Sequence, residues 1–419
     1  MNDRLSWYAR HVHPAVRAAA LAAARAYRRS LRTTCFVAVT GSSGKTTTKT
    51  LIDRVLAARA RGVVSFESRN TAGEIVRTLL RTRPWHTYCV QEIGAFRPDG
   101  IRELGSVFRP RIAVVTVVAQ EHRKAFPTLA SVAREKSELV RALPPDGWAV
   151  LNGDDPFCDA MRTQAPGHTL TYGTSEAADL RASDIRSAWP EPLSFLVHHA
   201  GDTLRVQTRL HGRFWTTSVL AALGAGIAAG VPLVEASAAI GACDPIKGRM
   251  SPVRLPGDVT FIRDDWKNPE WSLSHLYDFL REARANRRVL ILGSISDSRQ
   301  KPKRLYRRIL AEAEEAADAV LLTGQWAHLI EQETAAASSR ARAFRSVREL
   351  NEYLKRYVMP GDLVVLRANV SLDHLERLFL DRIRPVGCWR VRCGVRSGCD
   401  TCSRLYRPFD PTRDADRVT

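Results

Sequence analysis

The run CFVAVTGSSGKTTTKTLIDRVL, residues 35–56, constrains this chain more than any other stretch. A β-branched apolar run stops at a Gly/Ser turn and gives way to apolar residues at helical spacing, so the local order is strand, loop, helix. The turn reads Gly41, Ser42, Ser43, Gly44, Lys45, Thr46, Thr47. Counted from Thr40 it is one residue short of the phosphate-loop pattern G-x-x-x-x-G-K-[ST]. Glycines let the backbone curl so that successive N–H groups face a polyphosphate, and the helix N-terminus adds partial positive charge. Lys45 can reach the outer phosphates, and the Thr46 hydroxyl can hold Mg²⁺. A Gly/Ser turn that merely precedes Lys-Thr would need both flanking elements to be coincidence. A nucleotide-binding α/β domain is the expectation.

Further apolar runs repeat the alternation of strand and helix. VVSF at 63–66, HTYCVQEIG ending near Glu92, RIAVVTVV at 111–118 and WAVLNGDDP at 148–156 read as strands. In a parallel sheet, ligands gather at the carboxyl ends of the strands. Asn70, Glu92, His122 and the pair Asp154 and Asp155 all fall at or near such ends, where the last two read as turn formers. Residues 169–211 alternate polar and apolar, which predicts a small peripheral sheet, followed by an Ala-rich helix at 220–230. After a composition change at 244–258, strands VTFIRDD, RVLILGS, AVLLTG and DLVVLRA alternate with helices, predicting a second, smaller Rossmann-like α/β domain. The fold class is therefore α/β. The expected domains are a basic helical segment at 1–33, a central domain at 34–245, a C-terminal α/β domain at 246–386 and a Cys-rich tail at 387–419.

Seven stretches, TGSSGKTTT, QEIGAFRPDGI, AVVTVVAQEHRKAF, REKSEL, VLNGDDP, GRMSPVRLPGD and DDWKNP, occur in an order that resembles the Mur ligase superfamily of ATP-dependent amide-forming enzymes. The pattern is most similar to the branch that adds D-Ala-D-Ala. DDWKNP is also similar to a related amidotransferase subunit that acts on lipid-linked peptidoglycan precursor. The resemblance implies ATP and Mg²⁺ as cofactors, with Lys45 on the outer phosphates and Thr46, Glu92 and His122 as metal ligands. It implies that Lys136 carries a carbamate, that Arg249 reaches the nucleotide, and that Asp265 and Lys267 contact ribose and phosphate. The chemistry agrees: a carboxylate becomes an electrophile only once phosphorylated, and metals and cations must neutralise the transferring group. Glu92 and His122 also read as plain turn residues, and Lys136, between Glu135 and Glu138, as an exposed helix charge.

The pattern also departs from the family. About 33 residues precede the loop, too few for the domain that recognises a UDP-linked substrate. The family's His-Asn pair is replaced by Phe214 and Trp215, which leaves Trp215 either stacking on adenine or packing in the core. RANVS at 367–371 stands where Lys-Gly-Ser is usual.

Of eight cysteines, Cys388, Cys393, Cys399 and Cys402 cluster near the end. Four thiolates in so short a span suit a structural tetrahedral Zn²⁺, with a redox or merely structural cluster as alternatives. The net charge of +19, mostly arginine, implies acidic partners without choosing among them. Residues 4–32 read as a basic helix that either packs on the next domain or lies on an anionic membrane surface. No apolar run is long enough to span a bilayer, and arginines interrupt any secretory leader, so a cytoplasmic protein is expected. Three functions remain: an ATP-dependent ligase joining a carboxylate to an amine through an acyl phosphate, on a cell-envelope peptide or acidic precursor; an ATPase that works with a second protein subunit; and, less favoured, a basic zinc protein that binds nucleic acid.

Overall fold

The computed structural model describes residues 14–334, 340–391, 393–395 and 398–408. The chain divides into two compact units. The first runs to Asp244 apart from residues 188–191 and 210–212, and the second comprises those two short segments with everything from Pro245 onward.

In the first unit the apolar runs are strands of one nine-stranded sheet ordered β2-β3-β1-β4-β5-β6-β7-β8-β9. Its strands are β1 (Cys35–Thr40), β2 (Gly62–Val64), β3 (Tyr88–Glu92), β4 (Ile112–Val115), β5 (Trp148–Asn152), β6 (His168–Gly173), β7 (Leu180–Arg186), β8 (Ser194–His199) and β9 (Asp202–Gln207). The pairs from β2 to β7 are parallel, and only β7–β8 and β8–β9 are antiparallel. β1, β3, β4 and β5 are buried along nearly their whole length, which explains runs without polar alternation: helices cover both faces. These helices are α1 (Pro14–Ser30), α2 (Lys45–Ala57), α3 (Ala72–Arg81), α4 (Gly100–Phe108), α5 (Leu129–Arg141), α6 (Trp215–Ala228) and α7 (Leu233–Gly241).

One expectation changes here. The alternating residues 169–211 do not make a separate sheet; β6 pairs with β5 and extends the main sheet to one edge. Alternation tells which face a side chain takes, not which strand lies alongside. The described part of the basic N-terminal segment packs on the domain that follows. Leu21, Ala24 and Leu31 join its core, and Arg17 pairs with Glu103 at 2.7 Å. Arg28 donates to the carbonyls of Phe108 and Arg109 and lies 3.5 Å above the Phe36 ring. Residues 4–13 of the segment read as a basic helix lie outside the described residues.

The second unit has a six-stranded sheet ordered β10-β11-β15-β12-β13-β14. Its strands are β10 (Ser251–Leu255), β11 (Val259–Asp264), β12 (Arg287–Leu292), β13 (Ala319–Leu322), β14 (Ala341–Ala343) and β15 (Asp362–Arg367). Only β10 is antiparallel to its neighbour. Helices α8 (Leu273–Glu282), α9 (Pro302–Ala316), α10 (Val347–Tyr357) and α11 (Arg377–Ile383) pack around it. The described tail is built into this unit, because Val386, Cys399 and Leu405 belong to its apolar core.

Candidate active site

β1 pairs with β3 on one side and β4 on the other, with Val39 opposite Glu92 and Thr40 opposite Val115. The loop after β1 therefore opens between the carboxyl ends of both neighbours, the ligand-binding edge of a parallel sheet. Two glycines shape it. Gly41 has φ +144°, and a Cβ there would fall 1.9 Å from Thr116 Oγ1. Gly44, at φ 75°, is the left-handed residue from which α2 starts, and no side chain caps that helix start. The first-turn N–H groups are thus left to a ligand at the positive end of the helix.

Two groups of side chains meet at the loop. In the first, Thr46 donates to Glu92 Oε2 at 2.7 Å and lies 3.0 Å from Ser68 Oγ, while Asn70 Nδ2 donates to Glu92 Oε1 at 2.9 Å. Lys49, buried in α2, fixes the segment that carries Ser68 and Asn70 by donating to the carbonyls of Ser65 and Glu67. In the second group, Lys45 Nζ donates back to Gly41 O and stands 4.0 Å from Glu121 Oε2. Lys136 Nζ reaches the other oxygen of the same carboxylate at 2.5 Å, and Ser42 Oγ lies 3.2 Å from it.

Lys136 is fully buried, so the reading as an exposed helix charge fails. Its neighbours in sequence are not its partners: Glu135 instead accepts the backbone N–H groups of Asp99 and Ile101 at the start of α4. Burial pulls the Lys136 ammonium pKa down, although Glu121 opposes the shift. At Glu121 burial acts upward, yet Lys45 and Lys136 outweigh it and hold the carboxyl at about 2. The two residues differ because Glu121 faces two cations, whereas Lys136 faces one anion and the like charge of Lys45. Sequence reasoning gave Glu121 no role; its place beside His122 in EHRKAF was the available signal.

His122 has φ 46° and lays its ring against Phe96, with centroids 5.1 Å apart. Glu92 is expected to ligate one Mg²⁺ and His122 a second, and Glu92 stands beside Thr46 and Asn70. Asp154 and Asp155 are turn and cap residues: Asp154 accepts from Thr174 N, and Asp155 accepts from Val118 N and Phe157 N. Trp215, only 7% exposed, has its ring 4.8 Å from that of Phe214, as the core-packing alternative has it.

In the second unit, Arg249 follows the left-handed Gly248 just before β10. Asp265 and Lys267, read from the sequence as joint nucleotide contacts, are placed differently. Asp265 is 1% exposed with its carboxylate against Arg263 at 3.1 Å, and burial pushes its pKa up, whereas Lys267 is exposed. Asp265 is held inward because the buried Arg263 needs a counter-charge. The four terminal cysteines line one cavity together with His374.

A site for nucleotide and Mg²⁺ fits these residues: an uncapped helix start behind a glycine loop, a lysine across it, and a hydroxyl–carboxylate pair beside it. Residues 39–226 match the Mur ligase middle domain, and residues 248–370 match the glutamate ligase domain of the same family. The chain is 27% identical over 298 residues to the UDP-N-acetylmuramoyl-tripeptide D-alanyl-D-alanine ligase of Escherichia coli, covering 70% of this chain and 65% of that one. It is 29% identical over 244 residues to the enzyme of the same name from Mycobacterium leprae, covering 55% and 47%. It thus spans roughly half to two thirds of the length of these relatives. Among solved structures, MurF from Acinetobacter baumannii superposes with a TM-score of 0.80 at 23% identity, covering 88% of this chain and 80% of that one. MurF from Thermotoga maritima in complex with ADP superposes at 0.71 with 19% identity, covering 88% and 82%. Loop, metal-side carboxylate, buried lysine and both matched domains agree: the chain belongs to the Mur ligase superfamily.

Proposed function

We propose that this protein is an ATP- and Mg²⁺-dependent ligase that joins a carboxylate to an amine through an acyl phosphate. The observation that carries the reading is the pair of charge clusters on one loop, Thr46–Glu92–Asn70 on one side and Lys45–Glu121–Lys136 on the other. Bound Mg²⁺·ATP would supply the phosphoryl group and the charge neutralisation its transfer demands. The chain's own residues do the rest. The N–H groups from Ser43 to Thr47, at the start of α2, hold the phosphates, Ser42 N being given to Val117 O at 2.7 Å, and Lys45 leaves Gly41 O to pair with them. Thr46 and Glu92, steadied by Asn70, offer oxygen ligands to the cation, and His122 is the further candidate ligand. Arg249 and Lys267 are the candidate nucleotide contacts from the second unit, whereas Asp265 is held inward on Arg263.

Lys136 is the candidate carbamate. The lowered pKa favours the neutral amine, which attacks CO₂ and releases its proton to leave a carboxylate. That change would turn the Lys136–Glu121 ion pair into two anions, which only a cation could hold together, as a metal site requires. A carbamate carbon signal from labelled bicarbonate that disappears in Lys136→Ala would support it; its absence would leave a plain lysine.

The names of the relatives make a cell-envelope peptide or similar acidic precursor the proposed acid, acted on in the cytoplasm. The test is acid-dependent ADP release with an amide product, lost in Lys45→Ala. ATP turnover that yields no amide until a second chain is added would instead make this an ATPase subunit of an amidotransferase-type complex.

A further inference from the structure

The tail cysteines meet a residue that spacing alone could not bring in. Cys388, Cys393, Cys399 and Cys402 line a cavity of about 20 Å³ with His374, which comes from the loop between β15 and α11. His374 is 2% exposed and left-handed at φ 51°, and its Nε2 is 3.1 Å from Cys393 Sγ. In a tetrahedral zinc site a histidine nitrogen and a cysteine sulfur stand about 3.5 Å apart, so these atoms are near ligand spacing. The other face of the ring turns to Glu376, itself fully buried, with Nδ1 3.7 Å from Oε1. The ligand atoms of His374, Glu376 and Cys399 all lie within 4.8 Å of one another. His374 Nδ1 and Glu376 Oε2 are both buried with no hydrogen-bond partner among the described residues. One ring nitrogen beside a thiol, and the other unbonded and facing a buried carboxylate whose Oε1 is taken by Cys399 N, is close to the arrangement by which proteins orient a metal-binding histidine.

We propose that this cavity binds Zn²⁺ through His374 Nε2 and three of the four thiolates, Cys393 and Cys399 among them, with Glu376 orienting the histidine. The thiols release their protons to solvent as the metal binds, and four protein ligands leave no open position, so the ion is structural. Its effect is to tie the tail to the loop before α11. Asp400, next to Cys399, reaches Lys247 Nζ at 2.6 Å and Arg263 Nη1 at 3.0 Å, and Arg263 in turn holds Asp265. The site is therefore a clamp on the end of β11, and it stands whether or not the ligase reading does.

The test uses the full chain purified without chelator. Elemental analysis is expected to give about one zinc per chain. Replacing zinc with Co²⁺ reads the ligand set without any variant: a spectrum of one nitrogen and three sulfurs is expected, and one of four sulfurs overturns His374 as a ligand. His374→Ala and Cys399→Ser should lose most of the metal and melt at a lower temperature, while Cys243→Ser, away from the cavity, keeps it. Metal-free protein with freely alkylated Cys393, or with the tail thiols oxidised to disulfides, overturns the proposal.

Discussion

At the residue scale, Glu121 is the side chain on which the loop's charge balance depends. It lies between Lys45 and the fully buried Lys136, so removing it leaves a cation without its counter-charge in the interior. Glu121→Gln is expected to lower stability by about 3–5 kcal/mol near neutral pH, read by urea unfolding. The pH dependence has a definite sign. The carboxyl falls from 4.5 when unfolded to about 2 when folded, so its contribution is complete above 4.5 and lost as pH falls toward 2. The gap between wild type and Glu121→Gln should close over that window, and a constant gap would show that Glu121 acts otherwise. Thr46→Ala should lower Mg²⁺-dependent turnover by about 10²-fold while nucleotide still binds in EDTA, measured by titration calorimetry. Lys45 and Thr46 were legible in sequence because a glycine loop at a helix start marks them, and Asn70 and Glu92 because they stand at or after the ends of apolar runs that read as strands. Glu121 was not, although it stands beside His122 in EHRKAF, since its partners Lys45 and Lys136 come from other elements and the sequence does not show that they meet.

At the element scale, the carboxylate of Glu135 on α5 ties the start of α4 to that helix. Both its oxygens accept backbone N–H groups, from Asp99 at 2.8 Å and Ile101 at 2.6 Å. Glu135→Ala leaves those donors unpaired and should cost about 1–3 kcal/mol, with faster amide exchange at Asp99 and Ile101 as its local signature. Unchanged exchange at those two amides would contradict this role. The buried parallel strands were legible because a strand covered on both faces is a continuous apolar run bounded by turns. The edge was harder. Residues 169–211 show their alternation but not the parallel pairing of β6 with β5, and three-residue β14 is too short to leave a pattern.

At the scale of the whole molecule, two α/β units each carry part of the candidate machinery, the phosphate loop in one and Arg249 and Lys267 in the other. The motif order read from the sequence reaches across both, which is why the family was legible even where single motifs depart from it. The acid and the amine were not, because nothing among the loop residues is shaped by them. Lys45→Ala tests the loop as a whole: nucleotide affinity and turnover should both fall, with a lower melting temperature as well, since Lys45 also faces the Glu121 carboxylate at 4.0 Å. The most direct test of the account is ADP and phosphate release by the purified chain against a panel of carboxylates and amines, with mass spectrometry for the condensed product. The account predicts turnover that rises with one acid, yields one amide for each ADP, and vanishes in Lys45→Ala. ATP that binds but is not turned over faster with any acid, and no amide even when a second chain is supplied, would contradict it.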